Sequence, residues 1–165
     1  MGNQQVMAWH GAIEQLPSPV ETLIVSALYP GVAPERVFAF WITPDLLCAW
    51  WPQEAELDAR VGGAYKLSWP KMGWRLRGRY TAVEPGRRLA FTWVWEHHAA
   101  DVRGVEIRFT RLGDATAVEV RHGPYADTEA DREVRNGHLE GWLHFLGRLG
   151  AALEDDTPAG EVPTH

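Results

Sequence analysis

Three histidines stand where the local pattern turns them inward. His97 and His122 share the apolar parity of alternating stretches, and His138 lies one helical turn before Trp142. A neutral imidazole can hydrogen-bond a ligand, exchange a proton near neutral pH or ligate a metal. Metal ligation calls for convergent spacing such as His-x-x-x-His on one helix. His138 and His144 are six apart on different faces, so no metal is expected. Orientation of a ligand by one or two imidazoles is the leading reading, with His122 and His138 as the acid–base candidates if the chain is an enzyme. Neither a cofactor nor a confident catalytic residue is expected.

Aromatic side chains surround these histidines in the pattern. Nine of the 165 residues are tryptophan. Trp69, Trp74, Tyr80, Phe91, Trp93, Trp95 and Trp142 have the parity or helical face of an interior, where rigid rings stack on flat ligands. The plainer alternative is that they only fill a core. Trp50 and Trp51 precede Pro52 and act as a lid or as packing. Arg103 shares the parity of Val105 and could set a cation at a strand end for a carboxylate or phenolate, or stand exposed on the rim. Cys48 is the single cysteine, so there is no internal disulfide, and its apolar neighbours suit a buried, inert thiol.

The elements that must position these groups follow from hydrophobic period. Residues 20–29 read as a strand stopped by Pro30 and Gly31. Two short helices follow, one opened by Pro34 and one from Pro44 to about Trp51. The middle of the chain alternates apolar and polar residues, most cleanly at Trp74, Leu76, Gly78 and Tyr80 against Arg75, Arg77 and Arg79. It predicts about six antiparallel strands, with Gly62 and Gly63 in one turn. Leu139, Trp142, Leu143, Leu146, Leu149 and Leu153 recur at helical spacing, and the acidic residues from Asp127 extend the helix upstream despite Asn136 and Gly137. The expected fold class is α+β, a curved antiparallel sheet gripping a long C-terminal helix, with a cavity between them. Residues 20–154 form the domain, 1–19 a flexible leader with Trp9, and 155–165 a disordered tail. Sheet edges permit a homodimer.

Composition narrows the function classes. Sixteen Lys plus Arg against 22 Asp plus Glu leave a net charge of −6, which argues against a nucleic-acid partner. The stripe of Arg75, Arg77 and Arg79 is read as a solvated sheet face paired with acidic neighbours such as Glu106 and Glu119. No apolar run approaches the ~20 residues of a membrane span, and no secretory pattern opens the chain, so no membrane partner and a cytoplasmic location are expected.

Several short motifs occur in order: Trp50-Trp51-Pro52, Gly62-Gly63, Gly78-Arg79-Tyr80, Glu84-Pro85, Arg88 to Trp93, and Gly141-Trp142. Together, from about Val20 to Leu153, they resemble the Hsp-90 ATPase activator homologue-like family of the START-related, Bet v 1-like superfamily. The resemblance implies a helix-grip fold with an internal hydrophobic cavity and carries no catalytic triad or metal motif. Superfamily members include lipid and polyketide carriers, cyclases, hormone receptors and co-chaperone domains. Val134 to Gly137 followed by Gly141-Trp142 is also similar to the last helix of small resistance proteins that bind enediyne antibiotics. The expected function is binding of an aromatic or hydrophobic small molecule without turnover. The alternatives are a cyclase, dehydratase or hydrolase acting on a polyketide-like substrate, and a co-chaperone-like interaction protein. The chain is too short for the extra N-terminal domain of eukaryotic activators, which disfavours a chaperone partner.

Overall fold

The alternating stretches form antiparallel strands in a computed structural model that describes residues 12–156. Leu23–Tyr29 (β2) is followed by helix α1 (Pro34–Ile42) and the four-residue α2 (Pro44–Leu47). Pro34 opens α1 from an extended Ala33, where its missing N–H costs nothing. The second helix ends earlier than its sequence suggests, because the amides of Trp50 and Trp51 both turn back onto the Leu47 carbonyl. The strands β3 (Glu54–Leu57), β4 (Ala64–Trp69), β5 (Trp74–Glu84) and β6 (Arg88–Trp95) then run as a meander. A 3-10 turn (Glu96–His98), β7 (Val102–Leu112), β8 (Ala115–Gly123) and α3 (Glu129–Asp155) complete the order.

Within the stretch read as a leader, Ala12–Leu16 forms a strand, β1, paired antiparallel with β2 from Ala12 opposite Leu28 to Leu16 opposite Ile24. Gly147 of α3 faces this strand, and a Cβ there would make ordinary van der Waals contact with Ile13 Cδ1 at 3.7 Å. Trp9 and the tail beyond residue 156 lie outside the described residues, while Asp155 is helical. The eight-stranded sheet has the order β1-β2-β8-β7-β6-β5-β4-β3. It curves around α3 in the expected helix-grip arrangement.

Helix α3 runs unbroken through Asn136 and Gly137. Its start lies two residues after Asp127, where Thr128 accepts a hydrogen bond from the Asp131 amide at 3.1 Å and caps the first turn. In its second half Leu146, Leu149 and Leu153 are buried in one cluster with Leu23, Val25 and Phe38. Tyr29 donates its hydroxyl hydrogen to the Leu146 carbonyl at 2.8 Å, tying β2 to the helix.

Gly78 lets β5 and β6 approach closely. A Cβ there would lie 2.1 Å from the Thr92 carbonyl oxygen, so no side chain fits. The Tyr65 hydroxyl donates to that carbonyl at 2.7 Å and the Arg79 amide donates to Thr92 Oγ1 at 2.9 Å. These bonds satisfy groups beside the register shift between Tyr80 and Ala82.

Candidate functional site

A cavity of ≈ 360 Å³ opens between the sheet and the first half of α3. Its sheet side is built by Trp69, Trp74, Trp93 and Trp95. Trp69 and Trp74 face each other across the β4–β5 hairpin. Trp93 and Trp95 are two apart on β6 and therefore emerge on one face. The rings brace one another. Trp95 lies 5.7 Å from both Trp69 and Trp93, and Trp51 stacks on Trp93 at 5.9 Å. The Trp69 indole N–H donates to the Trp51 carbonyl at 3.1 Å, which fixes one wall against the chain that follows α2.

The helix side consists of Gly137, His138, Gly141, Trp142 and Phe145. Positions 137, 138, 141, 142 and 145 share one face by the i, i+4 rule. A Cβ placed on Gly137 or Gly141 would meet nothing within 4 Å, so these two residues leave room beside the cavity. A helix interior normally loses roughly 1 kcal/mol for each glycine in place of alanine. Here that cost accompanies open volume rather than close packing.

A polar cluster backs this wall. The His122 and His138 rings stack at 4.2 Å and 9°. The Trp142 indole N–H donates to His122 Nδ1 at 3.0 Å, and Tyr125 Oη lies 2.8 Å from His138 Nδ1. An indole nitrogen only donates, so His122 Nδ1 must be unprotonated and the neutral ring carries its proton on Nε2. Burial drives the pKa of His122 well below its ordinary value, and the adjacent His138 and Arg103 add to the effect. Burial, then the Arg103 guanidinium, lowers His138 to about 4, with Asp101 opposing. His122 Nε2 and Trp93 Nε1 are sealed from solvent and have no hydrogen-bond partner among the described residues.

Of the residues singled out from sequence, Trp51, Trp69, Trp74, Trp93, Trp95, His138 and Trp142 come together around the cavity. The others do not. Trp50 is fully buried and donates to the Phe40 carbonyl at 3.0 Å, so it is packing and no lid. Tyr80 and Phe91 face inward but lie in the closed core, where the gap beside Trp41 and Leu47 is only ≈ 10 Å³. His97 is exposed in the 3-10 turn, because the strand ends at Trp95 and the alternation with it. His122 sits behind His138, completely buried. Arg103 is neither a rim residue nor a free cation. Its side chain is 6% exposed, pairs with Asp101 at 3.0 Å and Asp131 at 3.3 Å, and donates to the Pro124 carbonyl at 2.6 Å.

The sequence reading missed Met72, Phe145 and Tyr125. Phe145 carried a signal, since it follows His138 by seven on the helix face. Met72 and Tyr125 lie in irregular segments with no period to betray them. The arginine stripe is exposed, and Arg75 pairs with an acidic neighbour, Glu96, at 3.9 Å, while the two acids named for it are occupied elsewhere: Glu106 binds Arg88 and Arg108, and Glu119 binds Arg121. A larger hollow of ≈ 640 Å³ on that outer face is an open surface lined by charged side chains such as Glu56, Lys66 and Arg79 together with aliphatic ones such as Leu57 and Val94, without the tryptophan wall. Among the described residues no His, Cys, Asp or Glu cluster could hold a metal, and no helix is long and apolar enough to cross a membrane.

Comparison with known proteins places the fold. Residues 32–154 match the family described as Activator of Hsp90 ATPase homolog 1-like protein. Protein MLL2253 from Mesorhizobium loti is 22% identical with a TM-score of 0.73, over 82% of this chain and 98% of that one. The crystal structure of CalU16 from Micromonospora echinospora is 27% identical with a TM-score of 0.62, over 87% of each chain. DynU16, a protein of the dynemicin biosynthetic locus, is 21% identical with a TM-score of 0.72, over 85% of this chain and 49% of that one. This chain thus spans about half the length of DynU16. No curated protein matches the chain.

Proposed function

Because the chain belongs to the Activator of Hsp90 ATPase homolog 1-like family, whose helix-grip fold class binds small hydrophobic ligands, we propose that its tryptophan-walled cavity binds a flat aromatic small molecule and releases it unchanged. The observation that carries this reading is the wall itself: tryptophans 51, 69, 74, 93, 95 and 142 around ≈ 360 Å³ of space, with no charged side chain among the lining residues. That volume is at the small end of ligand pockets, which suits about two or three fused rings. Ring stacking rewards flat ligands with about 1 kcal/mol per pair beyond area burial.

The polar chemistry favours orientation over turnover. His138, at about 4, is neutral at pH 7 and too weak a base to be matched to proton transfer there. His122 is driven the same way and is screened from the cavity by its neighbour. Partial burial, with Asp45 and Glu54 adding to it, raises the Cys48 thiol above its ordinary pKa, and a single cysteine in the chain fits a reducing compartment such as the cytoplasm.

Fluorene, a flat tricyclic hydrocarbon, tests the reading when titrated into labelled protein while the indole N–H signals are followed by proton–nitrogen NMR. The signals of Trp69, Trp74 and Trp95 should move saturably, and that of the sealed Trp50 should stay still. Gly141→Leu, which fills the cavity from the helix side, should abolish the movement. Absence of saturable shifts in the wild-type protein would overturn the proposal.

A further inference from the structure

We propose that the cavity selects neutral aromatic ligands bearing a carbonyl-type oxygen, and that His138, held in the Nε2–H tautomer by Tyr125, is the donor that recognises this oxygen. The inference rests on the binding reading above and goes beyond it by naming the ligand's polar group.

It starts from a buried hydroxyl. Tyr125 is 3% exposed, and the one hydrogen-bond partner of its hydroxyl among the described residues is His138 Nδ1, at 2.8 Å. A buried O–H needs an acceptor. Nδ1 supplies one only when it carries no proton; were it protonated, the Tyr125 hydrogen would be stranded. Burial also keeps the phenol itself protonated, so the donor is always present near neutral pH. The proton of the neutral His138 ring therefore sits on Nε2. The stacked His122 is fixed in the same tautomer by Trp142.

The two Nε2–H groups differ in access. That of His122 is sealed, whereas that of His138 has no partner among the described residues, is not among the sealed atoms, and belongs to a ring that lines the cavity. The His138 Nε2–H thus meets a wall whose other polar groups, the indole N–H groups of Trp51, Trp74 and Trp95, are donors as well and supply no acceptor for it. It demands an acceptor from the ligand, and a ligand donor placed there would confront it.

The charge environment sets the acceptor's class. Two cations lie behind the wall and neither lines the cavity: Arg103 stands 4.8 Å over the Tyr125 ring and is engaged by Asp101, Asp131 and the Pro124 carbonyl, and Arg135 donates to Ser18 Oγ and the Thr22 carbonyl. An anionic ligand would enter the cavity without a free counter-charge, at a desolvation cost that a single neutral hydrogen bond does not offset. A ketone or quinone oxygen fits both constraints.

Three probes of one shape test this: fluorene without a polar group, fluorenone with a carbonyl acceptor and carbazole with an N–H donor. The ratio of fluorenone to fluorene affinity, which cancels any change the substitution makes to the cavity's general grip on the ring system, should fall about tenfold from wild type to His138→Phe. Carbazole should bind wild type no better than fluorene. Tyr125→Phe, which frees the tautomer, should lower the same ratio and gives a second variant should His138→Phe fail to fold. Nitrogen NMR of the wild-type histidines reads the tautomer directly. Protonated Nδ1 on His138, or an affinity ratio indifferent to both variants, would overturn the inference and leave the aromatic cavity standing. Failure of both fluorene and fluorenone to bind wild type would instead remove the binding reading and this one with it.

Discussion

The two halves of helix α3 face the same curved sheet and do opposite things with it. The second half presents Leu146, Leu149 and Leu153, all nearly inaccessible, to a core closed by Leu23, Val25 and Phe38. The first half presents Gly137, His138 and Gly141, and beside them lies the cavity. Leucines fill the space between a helix and a concave sheet; glycines leave it. The tryptophans opposite are large enough to prop the sheet away from the glycine half, because each is braced by another ring rather than by the helix backbone. Stability and binding are therefore carried by different ends of one element, and substitutions should separate them.

The largest separation should come from Leu149→Ala. Its side chain is fully buried in the closed half, and truncation there should cost roughly 3–4 kcal/mol through lost burial and a residual cavity. Urea denaturation should show it as a lower midpoint with little change in slope. Folded protein of this variant should still bind fluorene, because the wall is untouched; joint loss of both would mean that the halves are one unit.

Acid should strain the other half. His138 has a folded pKa of about 4 against an ordinary 6.5, so the native state favours the neutral ring and the unfolded state takes up protons first. Stability from this group is complete above pH 6.5 and is lost as the pH falls toward 4. At pH 5 the loss should be about 2 kcal/mol, and His122 acts in the same direction. His138→Phe should flatten the dependence of the urea midpoint between pH 7 and pH 5. A variant with the wild-type slope would place the acid sensitivity elsewhere.

The same contrast explains what the sequence could and could not reveal. Period-two alternation made β5 and β6 legible, and helical spacing marked the leucine half of α3. Parity gives the face of a residue but not its depth. Tyr80 and Phe91 point inward with Trp93, yet Tyr80 and Phe91 lie in the packed core while Trp93 reaches the cavity. His97 kept its parity only on paper, because the strand stops at Trp95. Arg103 faces inward as expected, but its acidic partner Asp131 comes from the first turn of α3, a contact made only by the fold. The strand Ala12–Leu16 escaped because it is a mostly exposed edge whose one strong tertiary cue, Ile13 beside Gly147, is 134 positions away in the chain. In the sequence Gly137 and Gly141 are only glycines within a helical stretch. Only the structure shows that the space beside them is empty.

Two smaller effects test whether the open half is kept open at a cost. Gly141→Ala adds a Cβ that meets nothing within 4 Å, so it should raise stability by ~0.5–1 kcal/mol while narrowing the cavity. A higher melting temperature with weaker fluorene binding is the expected pair of results. Trp74 is 44% exposed at the rim of the same space, so Trp74→Ala should change stability by less than about 1 kcal/mol. It should nevertheless weaken fluorene binding, since it removes a wall residue packed edge-on against Trp95. If Trp74→Ala destabilised the fold as much as Leu149→Ala, the tryptophans would be core in function as well as in composition. The division of α3 into a sealing half and a binding half would then fail.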